Sequence, residues 1–593
     1  MEFFHSLHLS SINRILTTIN TPYMKKHNLK FLTCGLIIGF TLTVSSCEKK
    51  LATTYTTPIT SEKEDQSYNA PKGKQHAPSI SMDKKSELIS SGYYRGSGAD
   101  ELKDTDDYIE IQKHNTESYD FIAENDFLKA TENPLSTFSI DVDNASYTNT
   151  RRYIDNGSLP PIDAVRIEEF INYFSYDYTK PTGKNPFSIN TEVSECPWNM
   201  EHKLVHIGIQ GKRFPFESMA PINLVFLVDV SGSMSDENKL PLLKKSLSLL
   251  VSKMRAQDRI SLTVYAGSAG VVLPSTSGAE KAKIISALDN LQSGGSTAGG
   301  EGILLAYKIA KENFIENGNN RVLIATDGDF NVGASSDGEM IRLVESKRDD
   351  GIFLTVLGFG MGNYKDSKME SIADHGNGNY FYIDNIGEAQ KTLVEELDGT
   401  LYTIAKDVKI QVEFNPAKVQ AYRLIGYENR MLKKEDFNND KKDAGELGAG
   451  HTVTALYEII PVGVKATEIG SVDALRYQKI EAKKIEGQYA EEMMVIKFRY
   501  KEPKDSLSQL IVHTMKDKTM KLANSSENFR FSAAVAEFGM VLRNSKFKGT
   551  STYDQAMELA KNSKGADEGG YRAAFIKMIK TASLLSLTGK RDE

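Results

Sequence analysis

The sequence predicts an α/β fold: a doubly wound, mostly parallel sheet flanked by a β-sandwich-like region and a C-terminal helical region. Three observations carry this. Between Asn223 and Leu397, short apolar runs alternate with amphipathic stretches of helical length, the pattern of a parallel sheet covered on both faces. From 401 to 504, strand-like runs joined by long turns take over. Beyond 505 the periodicity is mainly helical.

At 593 residues the chain is too long for one core. Hydrophobic residues make up 40% and charged residues 25%, ordinary shares that suit folded domains. The net charge of −7 comes without a long basic run or a basic-aromatic stripe, so nucleic acid is not an expected partner.

The chain then divides in order. Residues 1–23 lack a coherent pattern and read as an extension upstream of a second start at Met24. Met24 to Lys30 is a basic n-region, and Phe31 to Val44 is an apolar stretch too short for a comfortable transmembrane helix of roughly 20 residues. It ends in Val44-Ser-Ser-Cys47, which is similar to the lipobox of bacterial lipoproteins; the alternative is a secretory signal with a chance cysteine. The lipoprotein reading makes Cys47 the lipidated residue and places the protein in the bacterial cell envelope, anchored to the outer membrane or to a periplasm-facing membrane. Cys34 leaves with the signal and Cys196 stays alone, so no intramolecular disulfide is expected in the mature chain. Residues 48–118, rich in Thr, Ser, Lys, Asp, Gly and Pro, read as a disordered tether, because they bury too little surface to offset ordering entropy.

Order is expected from about Phe121, in an N-terminal flanking domain over 119–222. Ser136–Val142 alternates like a strand, Asp143 or Asn144 suits a cap for a helix over 146–154, and Pro160-Pro161 precede a helix over 162–174. Asp141 and Asp143 resemble metal ligands, but a surface strand leading into a helix cap accounts for them. Phe187–Val193 and Leu204–Ile209 read as strands around Trp198, a packing anchor.

The α/β domain is placed at 223–400. Its strands are expected at 223–230, 259–265, 321–326, 352–359 and 380–383, and its helices at 239–254, 279–291, 303–314, 339–348 and 388–397. In the β-rich region, strands are expected at 407–414, 419–425, 452–462 and 493–500; with those before 212 they would complete one sandwich, making the α/β domain an insertion. Helices over 529–543, 552–561 and 571–587 fill the C-terminal domain, 505–593.

The chemistry gathers at the first α/β strand. Its apolar run ends in Asp229, followed by Ser231 and Ser233, so a carboxylate and two hydroxyls reach the strand's C-terminal edge, where open α/β sheets bind ligands. Asp-x-Ser-x-Ser resembles the first motif of a von Willebrand factor type A domain, whose metal-ion-dependent adhesion site holds a divalent cation. The resemblance implies a threonine on a loop opening a helix and an aspartate ending a buried strand. Thr297, in Gly294-Gly-Ser-Thr-Ala-Gly-Gly-Glu-Gly302, and Asp327, after Val322-Leu-Ile-Ala-Thr, stand where these belong; Ser296 competes with Thr297, whose spacing to the helix is better. Neutral hydroxyls with few carboxylates suit a hard cation, Mg²⁺ first and Mn²⁺ or Ca²⁺ next, with a position left for an acidic side chain of a partner protein.

The likeness extends further. Ser136-Thr-Phe-Ser-Ile-Asp-Val-Asp143, Val165-Arg-Ile-Glu-Glu169, Asp327-Gly-Asp-Phe-Asn-Val-Gly333 and Tyr422-Arg-Leu-Ile-Gly-Tyr427 resemble a bacterial envelope family in which the A domain lies between flanking domains of unassigned function. Metal-dependent capture of a protein presenting Asp or Glu, by a membrane-anchored scaffold module, is the function this implies. The other reading is a metal-dependent phosphoester hydrolase, with Asp229 as ligand or nucleophile and Gly294–Gly300 holding phosphate. No nucleophile–base constellation supports an enzyme: nothing in the sequence brings His206 or His375 to Ser231. Asp436, Asn438 and Asp440, with Asp443 and Glu446, look like a weak Ca²⁺ loop but lack the glycine and glutamate of an EF-hand; a solvated acidic turn is the plainer account.

Overall fold

The computed structural model describes residues 117–140, 143–295, 299–328, 337–362, 364–470, 473, 477 and 487–589. Cys47, Asp141, Ser296 and Thr297, nearly all of the expected tether, and the signal lie outside the described residues. No helix among the described residues is long and apolar enough to cross a membrane.

The chain enters through strands β1 (Leu128–Lys129) and β2 (Leu135–Ser139), helices α1 (Ala145–Asp155) and α2 (Ile167–Asn172), and the hairpin β3 (Phe187–Cys196) and β4 (Asn199–Gly211). The helix expected over 162–174 is divided, because Val165 is extended between a 3-10 turn at Ile162–Ala164 and α2. Asp143 is neither surface-exposed nor a cap. It is buried, its Oδ1 accepts the Tyr380 N–H at 3.0 Å, and its Oδ2 meets Arg430 at 3.3 Å.

The α/β domain follows: β5 (Ile222–Asp229), α3 (Leu240–Lys253), β6 (Arg259–Ala266), β7 (Ser268–Ser277), α4 (Lys281–Asp289), α5 (Gly299–Glu312), β8 (Asn319–Thr326), α6 (Asp337–Asp349), β9 (Ile352–Gly358), α7 (Asp366–His375), β10 (Tyr380–Tyr382), α8 (Ile386–Gln390) and α9 (Leu397–Leu401). Its strand order is β10-β9-β8-β5-β6-β7, parallel except for the β6–β7 pair. β7 and α7 are additions to the elements expected from the sequence. β7 is an edge strand of mixed exposure, reached by a turn at Gly267 with φ of +59°, so it never shows the uniform burial that marks β5 and β8.

β5 shows why the run is apolar throughout. Leu224, Phe226 and Val228 pack with Leu243, Leu247 and Ile284 on one face, while Val225 and Leu227 pack with Ile303, Val344 and Ile372 on the other. With each buried side chain worth about 1.5–3 kcal/mol, the strand is fixed at the centre of the sheet. Its C-terminal end is thereby held rigidly at the edge where Asp229 stands.

The chain leaves through β11 (Thr403–Phe414), β12 (Val419–Ile425), β13 (Gly445–Gly448), β14 (Thr452–Pro461), β15 (Glu492–Lys501) and β16 (Gln509–Lys516). One sheet runs β1-β12-β14-β4-β3 and the other β13-β11-β15-β16 with β2 also on β11, so segments from both sides of the α/β domain share each sheet. Their inner faces meet through Val205, Ile207 and Ile209 against residues such as Ile410, Val412, Ile496 and Phe498. β16 corrects the expectation of helices from 505 onward; it pairs with β15 as a half-exposed edge.

Helices α10 (Glu527–Leu542), α11 (Tyr553–Lys561) and α12 (Tyr571–Thr588) pack with α1 and α2 on the outer face of the first sheet, where Leu204, Ile425 and Leu456 point outward. Trp198 is buried there, and its carbonyl accepts the Thr550 N–H at 3.1 Å.

Candidate metal centre

Asp229 ends β5 and is fully buried. Its Oδ1 accepts the Ser231 N–H at 2.8 Å, which folds the chain back so that the next side chains return to the strand end. The Ser231 and Ser233 hydroxyl oxygens then lie 3.0 Å apart, Ser231 buried and Ser233 at the surface. Asp229 Oδ2 accepts the Tyr265 hydroxyl at 2.9 Å and the Thr326 hydroxyl at 3.3 Å, from the strands on either side.

Two backbone bonds stitch the glycine-rich loop to this turn: Gly232 N–H to the Gly295 carbonyl at 3.1 Å, and Gly294 N–H to the Val230 carbonyl at 2.8 Å. Gly295 has φ of +89°, a left-handed conformation that glycine adopts without strain. The loop is therefore drawn to the serines just before Thr297, which lies outside the described residues.

Asp327, also fully buried, follows β8. The register pairs Val228 with Ala325, so the two aspartates end neighbouring strands one step apart. Asp327 Oδ2 accepts from Lys239 Nζ at 2.8 Å. Burial raises the Asp229 pKa, the Ser231 hydrogen bonds lower it, and the Asp327 charge raises it further. Burial first, then the Asp229 charge, holds the Tyr265 phenol well above its usual range, so it remains a donor.

Among the described residues no three of His, Cys, Asp and Glu converge as a metal cluster, so hydroxyls must complete any coordination shell here. The residues present fit a hard divalent cation. The donors are all oxygens, two buried carboxylates at the ends of adjacent strands and the paired serine hydroxyls, and such a set suits a hard ion.

Other sequence candidates go elsewhere. The Asn438 amide oxygen accepts from Arg499 at 3.0 Å, and Asp440 Oδ1 accepts the Ser508 hydroxyl at 2.5 Å. Arg499 also donates to the Ser508 hydroxyl at 2.9 Å, so Asn438 and Asp440 are joined through protein donors, one of them a cation. His206 lies in β4, 2.8 Å from the Tyr178 hydroxyl, and His375 ends α7 with Nδ1 2.7 Å from the Ser371 carbonyl. Neither hydrogen-bonds to Ser231, whose N–H and hydroxyl partners among the described residues are Asp229 and Ser233. Tyr265, Thr326 and Lys239, absent from the sequence expectations, also bond to the two aspartates. The first two lie at or one residue before the ends of the strands beside β5, and strand ends at a switch point are where such residues collect.

Comparison with known proteins bears on this geometry. A von Willebrand factor type A domain model matches residues 223–396, a second model described as von Willebrand factor matches 113–206, and a model of the C-terminal region of the uncharacterized protein YfbK matches 399–585. YfbK of Escherichia coli (strain K12) is 44% identical over 479 residues, covering 80% of this chain and 82% of that protein. The chain belongs to the YfbK family.

Another relative, protein sll0103 of Synechocystis, is 27% identical over 188 residues, 32% of this chain and 44% of its own length. A solved von Willebrand factor type A protein from Catenulispora acidiphila is 15% identical, covers 69% of this chain and 91% of its own, and superposes with a TM-score of 0.37. Domains of the matched type commonly mediate metal-dependent protein interactions, and the matching family models indicate no enzymatic family.

Proposed function

We propose that this protein is a metal-dependent protein-binding or scaffold module, lipid-anchored in the bacterial cell envelope through Cys47. Asp229, Ser231, Ser233, Thr297 and Asp327 would hold the cation, Mg²⁺ or a similar hard ion, and an acidic side chain of a partner would complete its shell. When bound, the cation supplies Lewis-acid attraction for that carboxylate.

The carrying observation is the pairing of the Ser231 and Ser233 hydroxyls, 3.0 Å apart above a buried carboxylate. Ser233 and Gly232 are exposed, so the hydroxyl pair opens to an approaching partner, whereas Asp229 and Asp327 do not. Tyr265 and Thr326 hold Asp229 from below and fix its orientation without lending it charge. No observation favours phosphoester hydrolysis.

The test is a pull-down from envelope extract with wild type and Asp229→Ala, each with and without chelator. Capture by wild type alone, released by chelator, is the expected result. Equal capture by the variant, or capture that survives chelation, refutes the reading.

A further inference from the structure

Lys239 is the wrong residue for its position in the helix. It occupies the N-cap of α3, where Ser, Thr, Asp and Asn are favoured because their oxygens satisfy orphan N–H groups. It makes no side-chain cap bond, and it brings positive charge to the positive end of the helix dipole. Something else must favour lysine here.

Its side chain supplies the reason. The stem runs over Gly360, which has φ of +74°, and a Cβ added at that glycine would overlap the stem. The ammonium ends 2.8 Å from Asp327 Oδ2, with the lysine side chain 6% and the aspartate side chain 0% exposed. A slot in the loop after β9 thus delivers one positive charge to a carboxylate that lies beside a second, Asp229.

We infer that Lys239 is a tethered counter-ion that competes with the divalent cation for Asp327. This rests on the metal reading above and adds a second state to it. Without a divalent ion, the ammonium neutralises Asp327 and keeps the carboxylate pair compatible with burial. A divalent ion entering at Asp229, Ser231 and Ser233 meets that ammonium as a like charge and has to drive it off Asp327. The affinity of the site is therefore set lower than its ligands alone would give. The site is tuned to surroundings rich in divalent cations, and the metal-free fold is protected.

The experiment is calorimetric titration of Mn²⁺ into the purified full chain, for wild type, Lys239→Met, Lys239→Gln and Asp229→Ala, with melting temperatures measured in chelator. Lys239→Met keeps the stem and removes the charge. It should bind Mn²⁺ about tenfold or more tightly than wild type. It should also melt lower in chelator and gain more from added Mn²⁺. If both lysine variants bind Mn²⁺ with unchanged or weaker affinity, the counter-ion role is overturned; Lys239 then merely positions Asp327. If wild type and Asp229→Ala titrate alike, the metal site itself is refuted, a different failure from the first.

Discussion

The Tyr265 hydroxyl donates to Asp229 Oδ2 at 2.9 Å, tying the last residue of β5 to the penultimate residue of the parallel strand β6. Both groups are buried, so this bond orients the carboxylate that opens the candidate site. Tyr265→Phe removes the hydroxyl without altering the ring. The loss of a buried bond to a carboxylate should cost about 1.5–3 kcal/mol. Urea denaturation in chelator measures that cost, and Mn²⁺ titration should show weaker binding because Asp229 is no longer fixed.

Asp229→Ala should separate metal binding from folding. The substitution removes the Tyr265, Thr326 and Ser231 bonds and should cost at least as much as Tyr265→Phe, but the apolar packing of β5 on both faces should keep the sheet folded in chelator. With saturating Mg²⁺, wild type should gain stability according to its occupancy, about 2.7 kcal/mol at a hundredfold excess over Kd, and the variant nothing. Paired melting curves with and without Mg²⁺ decide it.

Arg151 joins the flank to the α/β domain. From α1 it reaches Asp384 Oδ1 at 2.6 Å and Glu388 Oε2 at 2.8 Å, with both carboxylates nearly inaccessible. Arg151→Met leaves two buried acids without this cation, which should cost roughly 3–5 kcal/mol. Denaturation followed by tyrosine fluorescence should show a lower midpoint. Limited proteolysis should cut near residue 384 faster than in wild type.

Glu537 makes stability depend on pH in an unusual direction. Burial in α10 pushes its pKa up to about 7 from 4.5, with the Ser551 hydroxyl at 3.2 Å pulling the other way. A raised carboxyl binds its proton more tightly when folded. Its favourable contribution is complete below pH 4.5 and is lost as pH rises through 7. Glu537→Gln should match wild type near pH 4.5 and exceed it at pH 8 by about 3 kcal/mol at most. Urea midpoints at the two pH values test the sign.

Much of this was legible in the sequence, for a physical reason. Asp229, Ser231 and Ser233 lie within five residues on one strand end, so their spacing alone brings them together. The uniformly buried strands β5 and β8 appear as unbroken apolar runs. β7 and β16 are edges with one side in water, and their mixed composition hides them. The partners of Asp229 and Asp327 come from elsewhere in the chain. Tyr265 stands 36 positions from Asp229 and Lys239 stands 88 from Asp327, and no local period links them. The merging of α1 and α2 with the C-terminal helices depends equally on distant contacts, such as Tyr147 with Phe575 at 6.3 Å between ring centroids.

The sandwich has a consequence for how the molecule is made. β4 pairs along its length with β14, from Gln210 opposite Thr452 to Lys203 opposite Ile459. Its partner is synthesised only after the whole α/β domain. While the chain is being produced, β3 and β4 form a hairpin with a bare edge, and α10, α11 and α12, which complete the cover of its outer face, come last of all. The α/β domain, whose sheet is built wholly from its own strands, can mature first and act as a clasp that brings the two halves together. Unfolding should run the other way: prising off the last helices bares the apolar outer face of that sheet, and neighbouring copies, not loss of the candidate site, are then the first hazard the protein meets.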